Sequence, residues 1–131
     1  MKLTMDDILL MNALTHVSGV SAKDCLISGN LVSFFVNEKE VGKAIGRKAV
    51  NVKELEQKLK RKIEIVAYSE KPEAVVESTF EVKVSSAKIN NGKLVVLMDS
   101  ASKRKVLGNI GRLKRLKELL KRNYELDLIV K

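Results

Sequence analysis

The sequence predicts an α+β protein built from two tandem copies of one unit, each with the order helix-strand-strand-helix-helix-strand and a three-stranded sheet. The strand-turn-strand segment Cys25–Val36 is echoed about 63 residues later by Lys88–Asp99. Each copy continues with a glycine-containing loop, a basic helix with leucines at helical spacing and a short strand. Because repetition at a fixed spacing indicates a duplicated unit, we expect one domain at residues 1–69 and another at 70–131.

The first helix is predicted to begin at Thr4 and to end at Gly19. A threonine can accept a hydrogen bond from the first turn of a helix, and Asp6 and Asp7 lie where the helix dipole favours negative charge. Apolar residues then recur at helical spacing as far as Val17, and a glycine is a common helix end.

A hairpin follows, with strands at Cys25–Ser28 and Leu31–Asn37 joined across Gly29-Asn30. The second of these strands is almost continuously apolar. Such a run is typical of a strand that is buried on both faces of its sheet.

The remainder of the first copy is predicted as a short helix at Glu40–Ile45, a longer helix and a strand at Lys62–Tyr68. The longer helix is indicated by one apolar stripe at helical spacing, formed by Val52, Leu55 and Leu59.

The second copy is predicted to repeat these elements with small changes of length. Pro72 suits the first turn of a helix, and Asn91-Gly92 is a strong signal for a hairpin turn. The predicted elements are helices at Pro72–Thr79 and Ala101–Leu107, strands at Phe80–Lys88 and Lys93–Asp99, a helix with the stripe Leu113, Leu116 and Leu120, and a strand at Leu126–Val130.

Positive charge is concentrated on the equivalent segment of each copy. The whole chain has a formal net charge of +9. Residues 41–62 hold eight basic and two acidic side chains, and residues 101–123 hold nine basic and one acidic. The rest of the chain is therefore net acidic. Two matched basic segments favour a surface for a polyanion over an ordinary solvated helix face.

Each basic segment contains a short loop with one or two glycines between two helices. The loops are Gly46-Arg47-Lys48-Ala49 and Gly108-Asn109-Ile110-Gly111. Glycine lets the backbone bend sharply and approach a sugar-phosphate chain, and the amides that open the next helix can then face the phosphates. With their flanking residues, the loops resemble the I-G-x-x-G-x-x-I-x-x-L core of the KH family in its type II order.

The KH resemblance implies that each loop clamps the backbone of about four unpaired nucleotides of RNA. Bases would enter an apolar groove beside each loop, near Ile45 and Val52 in the first copy and near Leu107 and Leu113 in the second. The residues assigned to RNA binding are Gly46, Arg47, Lys48, Ala49, Gly108, Asn109, Ile110 and Gly111, with Lys43, Lys53, Lys105, Arg112, Lys114 and Arg115 as nearby cations.

A two-module chain of this length resembles the short archaeal members of the NusA family, which implies a role in transcription termination or antitermination and makes RNA polymerase a further candidate partner. Two departures from the KH pattern leave alternatives open. Ala49 stands where the family prefers glycine, and the second copy is one residue shorter just after Gly111. The alternatives are a KH factor for ribosome assembly or RNA processing, and a scaffold that docks on polymerase with loops that no longer bind RNA.

Catalytic, metal and membrane functions are not indicated. His16 has no carboxylate or cysteine at ligand spacing, and Asp6 and Asp7 diverge around a helix. Cys25, the single cysteine, is interpreted as a small core residue and fits a reducing compartment. No apolar stretch reaches the ~18 residues of a membrane span. We expect a cytoplasmic, monomeric, non-enzymatic protein that needs no cofactor and binds single-stranded RNA.

Overall fold

The computed structural model describes residues 3–131, which divide into two compact units. The first unit ends at Tyr68, and the second runs from Ser69 to Lys131. Each unit combines helices with one three-stranded sheet, which confirms the predicted α+β class. None of the helices in residues 3–131 has both the length and the apolar character needed to cross a membrane.

Both units follow the helix-strand-strand-helix-helix-strand order. The first consists of α1 (Met5–Ser18), β1 (Asp24–Ser28), β2 (Leu31–Asn37), α2 (Val41–Ile45), α3 (Val50–Leu59) and β3 (Lys62–Tyr68), with short 3₁₀ turns at Glu38–Glu40 and Arg47–Ala49. The second consists of α4 (Pro72–Phe80), β4 (Ser86–Asn90), β5 (Lys93–Leu97), α5 (Ser100–Leu107), α6 (Ile110–Tyr124) and β6 (Asp127–Val130).

The ends of α1 are fixed as the sequence predicts. The Thr4 hydroxyl accepts from the Asp7 N–H at 3.1 Å, while the Asp7 carboxylate accepts from the Thr4 N–H at 3.0 Å. This reciprocal pair is a capping box. At the other end, the Gly19 N–H donates to the Thr15 carbonyl oxygen at 2.7 Å and ends the helix.

The two sheets share one topology. In the first, β2 lies between β1 and β3, antiparallel to β1 and parallel to β3. In the second, β5 lies between β4 and β6 with the same pairing directions. A parallel pair needs a crossover connection, and here two helices and the loop between them form it in each unit. The loop is thus held between helices that are themselves anchored to the sheet.

The core of the first unit lies between one face of its sheet and its helices. Phe34, in β2, is fully buried against Leu14 of α1 and Leu55 of α3, and Cys25 is buried in the same cluster. The interpretation of Cys25 as a core residue is confirmed. Residues 32–36 of β2 are all buried, as expected for a central strand covered on both faces.

One predicted strand is wrong at its start. The segment Phe80–Lys88 was predicted to be extended, but α4 continues through Phe80, and β4 begins only at Ser86. Phe80 is buried in the last turn of α4, and Glu81 leaves the helix with a φ of 53°. The Glu77 carboxylate then accepts from the Val84 N–H at 2.9 Å, which holds residues 81–85 as a loop.

The strand predicted at Lys93–Asp99 is shorter in the structure because its last residue caps the following helix. β5 ends at Leu97, and the Asp99 carboxylate accepts from the Ser102 N–H at 2.7 Å at the start of α5. Between them, the Met98 N–H donates to the Lys131 carbonyl oxygen at 3.1 Å. The helix before the second glycine loop is therefore fixed at the residue where the sheet stops.

Candidate RNA-binding loops

The first loop begins at Gly46, where α2 ends. The Gly46 N–H donates to the Gly42 carbonyl oxygen at 2.9 Å and closes the last turn of that helix. Gly46 itself has φ 82° and ψ 166°. This backbone region is essentially restricted to glycine, so the sharp turn out of α2 depends on the residue at this position.

Asn51 fastens the two sides of the first loop. Its side-chain amide donates to the carbonyl oxygen of Lys43 at 3.0 Å, one of the last carbonyls of α2, which lack partners within the helix. A Cβ at Gly46 would stand 2.8 Å from Asn51 Nδ2 and 3.0 Å from the Asn51 backbone nitrogen. Gly46 is therefore required both by its backbone conformation and by the close approach of Asn51.

The loop ends with two consecutive left-handed residues. Lys48 has φ 55° and ψ 32°, and Ala49 has φ 59° and ψ 29°. The left-handed conformation costs a residue with a Cβ about 1–2 kcal/mol. Ala49 occupies the position where the KH family prefers glycine, so the preference has a backbone cause in addition to the space needed by a ligand.

The first loop presents cations beside an uncapped helix start. Arg47 and Lys48 are exposed at its tip, and Lys43 and Lys53 are exposed on the helices to either side. No side-chain oxygen accepts a hydrogen bond at the N-cap of α3. The positive end of a helix dipole and its first amides attract anions, so this arrangement suits a phosphate.

The second loop has a different backbone. Gly108 has φ −77° and ψ −15°, and none of the residues from 107 to 111 has a positive φ. Asn109 is the N-cap of α6, and its side-chain oxygen accepts from the Arg112 N–H at 3.2 Å. Helix α6 begins at Ile110, so Gly111 lies in its first turn. The loop is thus a tight connection closed by its own asparagine.

The cations predicted for the second unit differ in their exposure and in their contacts. Lys114 is exposed, while Arg112 and Arg115 are half-buried. The ammonium group of Lys105 donates to the carbonyl oxygen of Glu81 at 3.2 Å. A Cβ at Gly111 would lie 3.4 Å from a guanidinium nitrogen of Arg115, which is an ordinary contact distance, so the backbone there has room for a Cβ.

The apolar residues expected to line grooves fall into two groups. Ile45 and Val52 of the first unit are half-buried, and Leu107 of the second is exposed, so all three can meet a ligand. Leu113 is buried in the core. Beside the second loop lies a shallow depression of about 500 Å³, which is lined by Ser100, Lys103, Arg104, Leu107 and Gly108.

Three residues of these sites lie outside the set predicted from the sequence. The first is Asn51, although an asparagine two residues after a loop can reach back to the preceding helix. The others are Lys103 and Arg104, whose spacing from Leu107 places all three on one side of α5. Among residues 3–131 there is no group of three or more histidine, cysteine, aspartate or glutamate side chains able to hold a metal ion.

The start of α5 is stabilised electrostatically. The backbone N–H of Ser102, followed by its hydroxyl, donates to the Asp99 carboxylate and lowers the pKa of Asp99 below its ordinary value of 3.8. These hydrogen bonds favour the ionised form. Asp99 thereby fixes the helix that carries Lys103, Arg104 and Leu107 toward the second loop.

Comparison with known proteins gives one family and two named relatives. The model of the KH domain family matches residues 10–94. A protein of Methanocaldococcus jannaschii named probable transcription termination protein NusA is 29% identical over 134 residues, which cover 98% of this chain and 73% of that protein. The protein of the same name from Methanococcus vannielii is 29% identical over 79 residues, which cover 60% of this chain and 46% of that protein.

A solved structure extends the similarity to three dimensions. The structure described as the crystal structure of APE1850 superposes with a TM-score of 0.85 and 28% sequence identity. The match covers 98% of this chain and 100% of the other. The two chains therefore share one fold over nearly their whole lengths.

Proposed function

The chain belongs to the KH-domain family and is NusA-like, as the loop motifs predict, and we propose that it binds single-stranded RNA to regulate transcription termination or antitermination. The observation that carries this proposal is the first loop. Gly46 and Ala49 bend the chain so that Arg47 and Lys48 are exposed beside the uncapped start of α3. KH domains use such a loop to clamp the backbone of about four nucleotides.

The proposal includes two KH domains of type II order, at residues 1–69 and 70–131. The identical order of elements in the two units supports it, as does the shared pattern of one antiparallel and one parallel strand pair. Two linked modules can bind a longer stretch of RNA than either alone, because the second contact is made within the complex.

RNA contacts are assigned to residues of both units. In the first unit, Arg47 and Lys48 meet phosphates, while Ile45 and Val52 border the groove for bases. In the second, exposed Leu107 provides an apolar contact. The supporting cations are Lys43, Lys53, Lys105, Arg112, Lys114 and Arg115, and the remaining loop positions are Gly46, Ala49, Gly108, Asn109, Ile110 and Gly111.

The role in transcription rests on the names of the relatives. Both archaeal proteins are named as probable transcription termination proteins, and the match to one of them covers nearly all of this chain. RNA polymerase is accordingly the proposed protein partner. The competing role, a factor for ribosome assembly or RNA processing, would engage ribosomal precursor instead of nascent transcript, and cross-linking followed by sequencing of the RNA separates the two.

The first test is the affinity for single-stranded RNA of about 10–12 nucleotides across a salt series, with duplex RNA of the same length as control. Each phosphate contact contributes about −0.7 to the slope of log K against log salt, so several contacts predict a slope near −3 or steeper. No preference for single strands would refute specificity for single-stranded RNA, and a slope near zero would refute the phosphate contacts.

A matched pair of variants tests whether the phosphate contacts are made by the first loop. Replacing Arg47 and Lys48 together by glutamine removes two charges from the first loop, and the slope should become shallower by about 1.4 for two lost phosphates. Replacing Lys88 and Lys93 by glutamine removes the same charge from exposed positions in β4 and β5 and should leave the slope unchanged. Equal effects of the two pairs would indicate attraction by net charge alone.

The transcription role is tested separately by readthrough of a terminator by purified archaeal polymerase, with and without the protein. A change in readthrough that the glutamine pair at Arg47 and Lys48 abolishes supports the proposal. The scaffold alternative predicts instead that polymerase stays bound after nuclease treatment and that the same variant still alters readthrough.

A further inference from the structure

The two glycine loops are fastened by asparagines that act in opposite senses. In the first unit, the amide nitrogen of Asn51 donates back to the Lys43 carbonyl oxygen of α2. In the second, the side-chain oxygen of Asn109 accepts forward from the Arg112 N–H of α6. One asparagine satisfies an acceptor at the end of a helix, and the other satisfies a donor at the start of one.

These bonds leave the two helix starts in different states. The N-cap of α3 is Ala49, which has no side-chain acceptor. The Val50 N–H at the start of α3 donates to the Arg47 carbonyl oxygen, and the side chain of Asn51 occupies no amide of that first turn. The N-cap of α6 is Asn109, whose oxygen lies 3.2 Å from an amide of that turn. A ligand oxygen that approached this amide would have to displace a bond that already exists, with little net gain.

The backbone conformations of the two loops also differ, and the difference agrees with that of the hydrogen bonds. Gly46, Lys48 and Ala49 all have positive φ values, which open the first loop into a turn with its own backbone hydrogen bond from the Ala49 N–H to the Gly46 carbonyl oxygen at 3.0 Å. The second loop has no such residue, and α6 begins inside the glycine pair, at Ile110. Its glycines lie in helical or near-helical backbone and do not form an open turn.

We infer that the first loop is the only phosphate clamp of the two and that Asn109 closes the second loop to phosphate by capping α6. The inference rests on the proposed function, since it divides the labour of RNA binding between the units. The second unit then contributes through side chains, namely the cations of α5 and α6 and the apolar surface at Leu107.

A matched pair of substitutions tests the division. Ala49 and Ile110 are equivalent when the apolar stripes of α3 and α6 are aligned, and neither is charged. A49D and I110D therefore each add one negative charge at a helix start, at the N-cap of α3 and at the first residue of α6. Aspartate tolerates the left-handed conformation of residue 49, Ile110 is 63% exposed, and acidic residues suit both positions by the helix dipole, so both variants should fold.

The measurement is the affinity for a 10–12-nucleotide single-stranded RNA across the salt series, after circular dichroism has verified folding. A49D should weaken binding at least tenfold and make the slope shallower by about 0.7–1.4, the share of one or two phosphates. I110D should weaken binding less than about threefold and leave the slope unchanged. Comparable losses of affinity and slope in the two variants would overturn the inference.

The role of Asn109 is tested by a second pair with opposite effects on the cap. N109S keeps an oxygen able to cap α6, whereas N109G removes the acceptor at a cost of only a few tenths of a kcal/mol. N109G should bind the RNA more tightly than N109S, with a slope steeper by about 0.7 for one added phosphate. Identical affinities and slopes for the two variants would show that Asn109 is not what closes the loop.

The outcomes separate this inference from the proposed function. If the wild-type chain shows no preference for single-stranded RNA, the proposed binding of single strands fails, and the division between the loops fails with it. If the wild-type chain binds with a steep slope but A49D and I110D lose affinity equally, the function stands and only the division between the loops is wrong.

Discussion

The strongest structural prediction concerns Gly46, the residue at which α2 turns into the first loop. Its φ of 82° and ψ of 166° lie in a region that costs other residues about 1–3 kcal/mol. An alanine Cβ would also meet Asn51 Nδ2 at 2.8 Å and the Asn51 backbone nitrogen at 3.0 Å. The side-chain amide would have to move, and its bond to Lys43 is worth about 0.5–1.5 kcal/mol. We expect G46A to destabilise the first unit by about 2–4 kcal/mol.

This loss is large for a small unit. At about 0.05–0.15 kcal/mol per residue, a unit of this size has a total stability of about 3–10 kcal/mol. Gly42 supplies a matched control four residues earlier, because it is exposed within α2 and a Cβ there would meet nothing within 4 Å. Glycine inside a helix is less favourable than alanine, so G42A should raise the free energy of unfolding of the first unit by about 0.5–1 kcal/mol.

Equilibrium urea unfolding followed by far-ultraviolet circular dichroism compares the two variants with the wild-type chain. Amide hydrogen exchange of the β2 residues then assigns the change to the first unit, because those amides report on its central strand. G46A should have the lowest midpoint and G42A the highest. If G46A unfolds at the same urea concentration as the wild-type chain, the backbone conformation assigned to Gly46 and its contact with Asn51 are wrong.

Three further predictions concern single side chains. A49G relieves the left-handed alanine but adds freedom to the unfolded chain, so its urea midpoint should rise by an amount equivalent to no more than about 1 kcal/mol, and a lower midpoint would contradict the strain argument. N51A should lower the free energy of unfolding by about 0.5–1.5 kcal/mol and weaken RNA binding. N123A removes a similar amide bond, to Leu119, and should also lower the free energy of unfolding but leave the RNA affinity unchanged. The pKa of Asp99 is lowered in the folded state, so its carboxylate stabilises the fold above its ordinary pKa and loses that effect as the pH falls through the lowered value. D99N keeps a capping oxygen, so its stability should fall less than that of the wild-type chain as the pH falls below the ordinary pKa of an aspartate in urea titrations, and parallel pH profiles would contradict this assignment.

The elements that local chemistry determines were predictable from the sequence. Thr4 with Asp7 marks the start of α1, and Asn91-Gly92 marks a hairpin turn in which both residues have positive φ. The apolar run of β2 indicated burial on both faces. At Thr4 and at Asn91-Gly92 the determining interaction lies within a few residues of the signal, and in β2 the apolar run itself reports the burial, although the residues that cover it are distant in sequence.

The end of α4 was not predictable because the deciding contacts are not local. Phe80 is compatible with a strand by its own propensity, and the alternation after it reinforces that reading. In the structure the residue is buried in the last turn of the helix, and the Glu77 carboxylate holds the loop seven residues further on. Packing of α4 against the rest of its unit therefore outweighs the local preference of Phe80 for a strand.

The difference between the two loops shows how far a motif can determine a site. Both loops contain a glycine pair or its near equivalent, yet only the first has positive φ values. The sequence carries two signs of the difference: the single-residue deletion after Gly111 and the shift of an asparagine from a position after the loop to one within it. A deletion draws the start of the following helix into the loop, and an asparagine at that start caps it. The position of the asparagine relative to the helix therefore decides whether its side chain bonds to the preceding helix, as that of Asn51 does, or occupies an amide of the following helix, as that of Asn109 does.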